Sequence, residues 1–136
     1  MATAGYSGTP LVKKLGIKPE MKVLLLHAPD NYFSLLEQDI AGQCIKGKQV
    51  PDLIHLFANS IAAFEKGMQK ILPLAKANTG VIIWVSWYKK TAGISTDLNE
   101  NIIRDFALQH NLVDIKVCAV SEQWSGLKLV VPVAKR

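Results

Sequence analysis

Lys22-Val23-Leu24-Leu25-Leu26-His27-Ala28-Pro29-Asp30-Asn31 decides how this 136-residue chain is read. Four consecutive apolar residues ahead of a turn signal predict a strand over Lys22–Leu26, covered on both faces as in a parallel sheet. The residues that follow form a strand-to-helix corner. In a wound α/β protein that corner carries the glycine-rich loop that cradles a nucleotide-bearing cofactor. Here no glycine lies between Gly16 and Gly42. Pro29 also removes one backbone donor from the corner.

Upstream, Thr9 as cap, Pro10 at the first helical position and Gly16 as terminator predict a short entry helix. Downstream, Asp30 or Asn31 is placed to cap a short helix over Tyr32–Glu37. A weak strand is expected over Gln43–Lys46, between Gly42 and Gly47. Asp52–Phe57 reads as the next strand, followed by a helix capped by Asn59 or Ser60. Its apolar stripe is Ile61, Phe64, Met68, Ile71 and Leu72, and Pro73 lies near its end. Val81–Trp87 is the strongest strand pattern in the chain. Alternation puts Ile82, Trp84 and Ser86 on one face and Val81, Ile83, Val85 and Trp87 on the other, with Trp84 as core filler. A helix is expected from Asp97, with Glu100 as capping-box partner and Leu98, Ile102, Ile103 and Phe106 as its stripe, ending near Asn111.

Val113–Val120 and Leu127–Val133 are two further strands. The connection between them, Ser121-Glu122-Gln123-Trp124-Ser125-Gly126, is too short for a parallel crossover, so an antiparallel hairpin is expected. The predicted fold is α/β, a single three-layer Rossmann-like domain over residues 1–136. Its sheet is expected to be mostly parallel, with a C-terminal antiparallel hairpin and one reversed strand near an edge. Residues 1–8 are expected to be extended or flexible.

Composition narrows the function classes. Hydrophobic residues make up 49% and charged residues 20%, a globular balance. No apolar run approaches the roughly 18 to 20 residues of a membrane span. Met1–Gly8 lacks the layout of a signal peptide, so a cytoplasmic protein with no membrane partner is expected. Cys44 and Cys118 match no metal or redox spacing, and Cys118, inside an apolar strand pattern, reads as a buried reduced thiol. The net charge of +5 is carried by lysines scattered along the chain, with Arg104 and Arg136 as the only arginines. Arginine supplies bidentate phosphate and base contacts, so a solvated lysine surface is expected in preference to a nucleic-acid site.

Asp52–Phe57, a helix, Val81–Trp87, a helix and the closing strands Val113–Val133 resemble the C-terminal half of class I S-adenosylmethionine-dependent methyltransferases. The approach Leu72-Pro73-Leu74-Ala75-Lys76-Ala77-Asn78-Thr79-Gly80 resembles that fold as well. More closely, the chain resembles a family of small bacterial proteins grouped as a domain of unknown function. Val23–Leu26, Asp52–Phe57, Trp84–Lys90, Asp114–Val120 and Trp124–Leu129 carry this likeness. It implies a reduced methyltransferase-like fold and no particular activity. The methyltransferase resemblance also implies glycines after the first strand and a carboxylate near the end of the second. This chain has His27, Ala28 and Pro29 at the first place and Lys46, Gly47 and Lys48 at the second. No cofactor is therefore expected.

In open α/β sheets, ligands bind beyond the carboxyl ends of the strands. That rim is expected to gather His27, Asp30, Asn31, Asn59, Ser60, Trp87, Lys89, Lys90 and, from the last turn, Trp124. Trp87 and Trp124 would form an aromatic wall and Lys89 and Lys90 a positive edge, suited to a small anionic or aromatic ligand. Each has a plainer reading: Asp30 as a helix cap, Lys89-Lys90 as a solvated loop. His55 reads as a hydrogen-bonded core residue and His110 as a helix-end residue. No nucleophile is placed beside His27, and three separated histidines give no metal site. The leading functional reading is a small-ligand or protein-binding domain without the usual cofactor motif. Alternatives are a divergent methyltransferase or another enzyme using the rim, for instance His27 and Asp30 with Lys89 or Lys90, and an electrostatic nucleic-acid binder. A monomer or a homodimer is expected, the latter through the edge of the last strands unless Pro132 blocks it.

Overall fold

The apolar run Val23–Leu26 forms β1, and the computed structural model describes residues 9–46 and 49–136 around it. Gly47, Lys48 and the segment 1–8, expected to be extended or flexible, lie outside the described residues. β2 (Leu53–Phe57), β3 (Ile82–Tyr88), β4 (Val113–Ala119) and β5 (Trp124–Val130) complete one sheet in the order β1-β2-β3-β5-β4. β1 pairs with β2 and β2 with β3 in parallel, while β5 pairs antiparallel with both β3 and β4. The sheet is therefore mixed and not mostly parallel. The reason is where the reversed strand goes: β5 inserts between β3 and β4 and so makes two antiparallel interfaces.

The weak strand expected over Gln43–Lys46 is reduced to a single parallel bridge between Val23 and Cys44, after a 3-10 turn at Ala41–Gln43. Side chains hold that segment in place of a ladder. Asp39 accepts from the Ala41 amide at 2.8 Å, and the Gln43 amide donates to the carbonyls of Lys18 and Met21.

Helices α1 (Leu11–Leu15) and α2 (Tyr32–Leu36) bury Leu11, Leu15, Tyr32 and Leu36 against one face of the sheet, with Leu53, Phe57, Trp84 and Trp124. Helices α3 (Ile61–Ala77) and α4 (Glu100–Gln109) cover the other face, with Phe64, Met68, Ile71, Ile103 and Ala107 against Ile54, Leu56, Ile83, Val85 and Trp87. Three layers result. α1 is pinned to the sheet because the indole of fully buried Trp84 donates to the Leu15 carbonyl at 2.9 Å. α3 packs so closely on β2 that a Cβ on Gly67 would stand 2.6 Å from Leu56 Cδ1.

The caps differ from the sequence reading in instructive ways. Pro10 occupies the N-cap of α1 instead of its first helical position, and Gly16 closes the helix at φ 79°. Asn31 holds the N-cap position of α2 without a side-chain hydrogen bond, so neither it nor Asp30 caps that helix through its side chain. Ser60 caps α3, accepting from the Ala63 amide at 3.1 Å, and the helix runs on past Pro73 to Ala77. α4 starts at Glu100 instead of Asp97, because Asn99 accepts from the Ile102 amide. Asp97 caps the neighbouring helix, accepting from the Ile61 amide at 2.8 Å.

Trp124, Ser125 and Gly126, read as turn from sequence, belong to β5. Ser121 tightens the turn instead, its hydroxyl accepting from the amides of Gln123 and Trp124 at 3.1 Å. β4 is the outer edge strand and carries a register irregularity between Asp114 and Lys116. Pro132 follows the internal strand β5, so it does not shield that edge. No helix among the described residues is long and apolar enough to cross a membrane.

Candidate functional site

A cavity of about 430 Å³ opens at the carboxyl ends of β1, β2 and β3. His27 and Pro29 come to it from the corner after β1, Phe57 and Asn59 from the end of β2, and Ala63 from the first turn of α3. Tyr88 and Trp124, register partners across β3 and β5, complete the lining. Tyr88 and Trp124 stack with centroids 4.1 Å apart, and Trp124 meets the Phe57 ring edge-on at 5.0 Å. Offset and edge-to-face contacts of this kind add about 0.5–1.5 kcal/mol each beyond burial and fix ring orientation.

Beneath Phe57 lies a buried polar chain. The Phe57 ring stacks on His55 at 4.3 Å. The Tyr32 hydroxyl lies 2.8 Å from His55 Nδ1, and the Ser86 hydroxyl 2.7 Å from Nε2. A neutral imidazole has one donor and one acceptor nitrogen, and a hydroxyl takes either role, so both ring nitrogens are satisfied. Burial lowers the His55 pKa from 6.5 to about 3. Burial, with Cys44 adding to it, pushes the Tyr32 phenol above its ordinary range. The chain therefore stays neutral at physiological pH. Ser86 and His55 are wholly inaccessible, so their pairing supports the cavity floor and presents no nucleophile to solvent.

The corner after β1 has a conformation that its composition hides. His27 sits at φ 58°, the left-handed region a glycine would ordinarily take. Its side chain is exposed at the cavity mouth.

The structure brings His27, Asn59 and Trp124 together and leaves other candidates elsewhere. Asp30 and Asn31 are exposed at the entry to α2 and do not line the cavity, and the Ser60 hydroxyl is engaged in capping. Trp87 packs under α3 and α4, on the sheet face opposite Trp124. The aromatic wall of Trp87 with Trp124 is thus not formed, since alternation along β3 sends Trp87 to one side and Tyr88 to the other. The Lys89 amide donates to the Gln123 carbonyl, and Lys90 begins an exposed 3-10 turn. Neither lysine lines the cavity. Phe57 and Tyr88 also line the cavity, and no sequence motif singles them out. The signal for Tyr88 was its place one residue beyond the strongest apolar run.

Elsewhere, burial raises the Cys118 thiol pKa while Lys14, Lys116 and Lys89 oppose that rise. A second cavity, about 600 Å³, lies at the other end of α3 and α4, beside Lys76, His110 and Lys135. Two helix C-termini point their partial negative charge there, which the ammonium groups of Lys76 and Lys135 offset. Among the described residues, no group of three His, Cys, Asp or Glu is placed to hold a metal.

No protein-family model matches the sequence, and no curated protein matches it. Among solved structures, the chain is similar to an uncharacterised protein from Listeria monocytogenes serotype 4b, with TM-score 0.53 and 10% identity over 92% of this chain and 68% of that one. It is also similar to the m1A22 tRNA methyltransferase TrmK of B. subtilis, with TM-score 0.50 and 10% identity over 91% of this chain and 66% of that one. The fold is Rossmann-like and methyltransferase-like. At such identities the likeness is one of fold alone, and the chain spans about two thirds of the length of those structures.

A methyltransferase-like fold implies S-adenosylmethionine, and the donor set here does not fit it. At the β1 corner His27, and not a glycine, holds the positive φ, and Pro29 has no N–H to offer. The segment beside β1 is held by one bridge at Cys44 and leads to Lys46, which has no carboxylate for ribose hydroxyls.

Proposed function

We propose that this protein is a ligand-binding domain that takes a small, flat-ringed molecule in the cavity at the carboxyl ends of β1, β2 and β3. The observation that carries this reading is the aromatic lining by Phe57, Tyr88 and Trp124, braced from below by the Tyr32–His55–Ser86 chain. Concave, largely apolar sites with few polar groups are the usual form of a small-molecule pocket. His27 and Asn59 at the mouth supply polar groups to orient the ligand. A second reading, a divergent methyltransferase, is favoured by the fold likeness to a tRNA methyltransferase and disfavoured by the β1 corner.

Calorimetry against adenosine, adenosine monophosphate, S-adenosylmethionine and S-adenosylhomocysteine separates the two. The binding-domain reading expects submillimolar affinity for at least one ring-bearing nucleoside or nucleotide, and no added affinity from the methionine moiety. Tyr88→Ala is expected to weaken binding about tenfold, the scale of one aromatic stacking contact. Submillimolar S-adenosylmethionine binding well above that of adenosine would establish the second reading. Absence of binding by every ring-bearing ligand would contradict the first.

A further inference from the structure

Lysines far apart in sequence gather on one face of the sheet. Lys128 of β5 stands in a cross-sheet row between Trp84 of β3 and Lys116 of β4. Trp84 is bonded to the Leu15 carbonyl, so Lys14, the preceding residue of α1, comes to the same side. The next row on that side sets Gly126 opposite Cys118, and Lys14, Lys116 and Lys89 all act electrostatically on the Cys118 thiol. Like charges directly opposite each other across a strand pair are destabilising, and the fold tolerates Lys116 against Lys128.

Among the described residues, both ion pairs belong to Arg104, with Glu100 and Asp114, so Lys14, Lys116 and Lys128 have no carboxylate partner. Asp114 is thereby turned to the α4 side, and Glu122 in the turn is the other carboxylate of the β4–β5 segment. The eight residues ahead of Thr9 contain neither Asp nor Glu. An anionic ligand is the chemistry that complements Lys14, Lys116 and Lys128.

The face also leads somewhere. From Lys128 along β5, Gly126, buried under Val120, and then Trp124 follow on the same side, and Trp124 lines the aromatic cavity. Four strand residues span about 13 Å, a reach that a few nucleotides of single strand cover. Lys89 follows Tyr88 at the same end. We propose that this face binds a single-stranded nucleic acid, its phosphodiester backbone along Lys14, Lys116 and Lys128 and one base in the cavity of Phe57, Tyr88 and Trp124. An acidic peptide would satisfy the lysines but bring no flat ring to the cavity, whereas a nucleic acid supplies both. A duplex keeps its bases stacked and out of reach. A charged track joined to aromatic platforms is the usual physical form of single-strand binding. The base-in-cavity part rests on the flat-ring reading above.

The test is fluorescence anisotropy with a short labelled single-stranded RNA across a salt series, beside calorimetry with adenosine. The variant Lys116→Thr with Lys128→Thr removes both charges and replaces a repulsive cross-strand pair with one that sheets favour, so it is expected to fold at least as stably as wild type. The proposal expects wild-type RNA affinity to fall steeply with salt and the double variant to bind RNA about tenfold or more weakly at low salt. Adenosine binding is expected to be unchanged in that variant. Equal RNA affinity of wild type and variant, or equal affinity for duplex or polyglutamate, would overturn the proposal while leaving the flat-ring reading intact. Lysine-dependent RNA binding without any adenosine binding would support the charged face and overturn the flat-ring reading.

Discussion

His55 Nε2 and the Ser86 hydroxyl stand 2.7 Å apart, the spacing of a general base and its nucleophile, and both residues are wholly buried. Their roles follow from burial. A polar pair bridging β2 and β3 inside an apolar layer must be fully satisfied, and the Tyr32 hydroxyl completes it on the other ring nitrogen. The chain fixes the His55 ring, and the ring supports Phe57 at the floor of the cavity.

Ser86→Ala removes one partner of a buried imidazole. Leaving that nitrogen unpaired is expected to lower stability by about 1–3 kcal/mol, read from urea unfolding midpoints. The wild-type protein is expected to resist labelling by a fluorophosphonate under native conditions. Labelling at Ser86 would refute the structural role.

The pH dependence of stability carries a signature of His55. Its folded pKa, about 3, lies below the unfolded value of 6.5, so above pH 6.5 the ring is neutral in both states and its contribution is fully present. As pH falls below 6.5, the unfolded chain takes up a proton that the folded chain refuses. Stability then declines by about 1.4 kcal/mol per pH unit from this group until the folded pKa is reached. Urea unfolding at a series of pH values is expected to show His55→Gln with a flatter profile than wild type. Parallel profiles would refute the assignment.

The left-handed conformation of His27 sets the tolerance of the β1 corner. His27→Gly relieves backbone strain and adds unfolded-state freedom, so stability is expected to stay within about 1 kcal/mol of wild type. His27→Val puts a β-branched residue at positive φ and is expected to cost about 1–3 kcal/mol. Thermal unfolding of the two variants checks the order, and a Val variant as stable as the Gly variant would contradict it.

Gly67 is required by packing and not by backbone conformation. Gly67→Ala would raise helix propensity by about 1 kcal/mol, yet its methyl would meet Leu56 Cδ1 at 2.6 Å and Cδ2 at 2.7 Å. Overpacking is expected to win, with a net loss of about 1–2 kcal/mol. Combining it with Leu56→Ala is expected to be less damaging than the sum, because the new methyl fills space that leucine vacates. Additive losses in the double-mutant cycle would contradict the contact.

Strand positions were legible because apolar runs mark them: Val23–Leu26 is β1, and Val81–Trp87 lies within one residue of β3. Spatial order was not, since no local pattern reveals that β5 enters between β3 and β4. The burial of Trp84 followed from alternation, and His55 was readable as a hydrogen-bonded core residue. The cavity was harder to see. Tyr88 reaches Trp124 only through the antiparallel register of β3 with β5, and Trp124 was read as turn because Ser121 and Gly126 bracket a turn-like stretch. The sequence pattern makes Asp97 the start of its own helix, whereas its carboxylate caps α3 across the fold. Long-range partners of this kind leave no trace in spacing.

The aromatic cavity is the centre of this account, and the three tryptophan indole N–H resonances test it directly. Trp124 lines the cavity, Trp84 is bonded to the Leu15 carbonyl inside the core, and Trp87 lies on the opposite face. Titration with adenosine, followed in a nitrogen-15 correlation spectrum, is expected to move the Trp124 indole saturably and leave those of Trp84 and Trp87 in place. A spectrum in which Trp124 stays fixed at millimolar adenosine, or in which Trp87 moves instead, would contradict it.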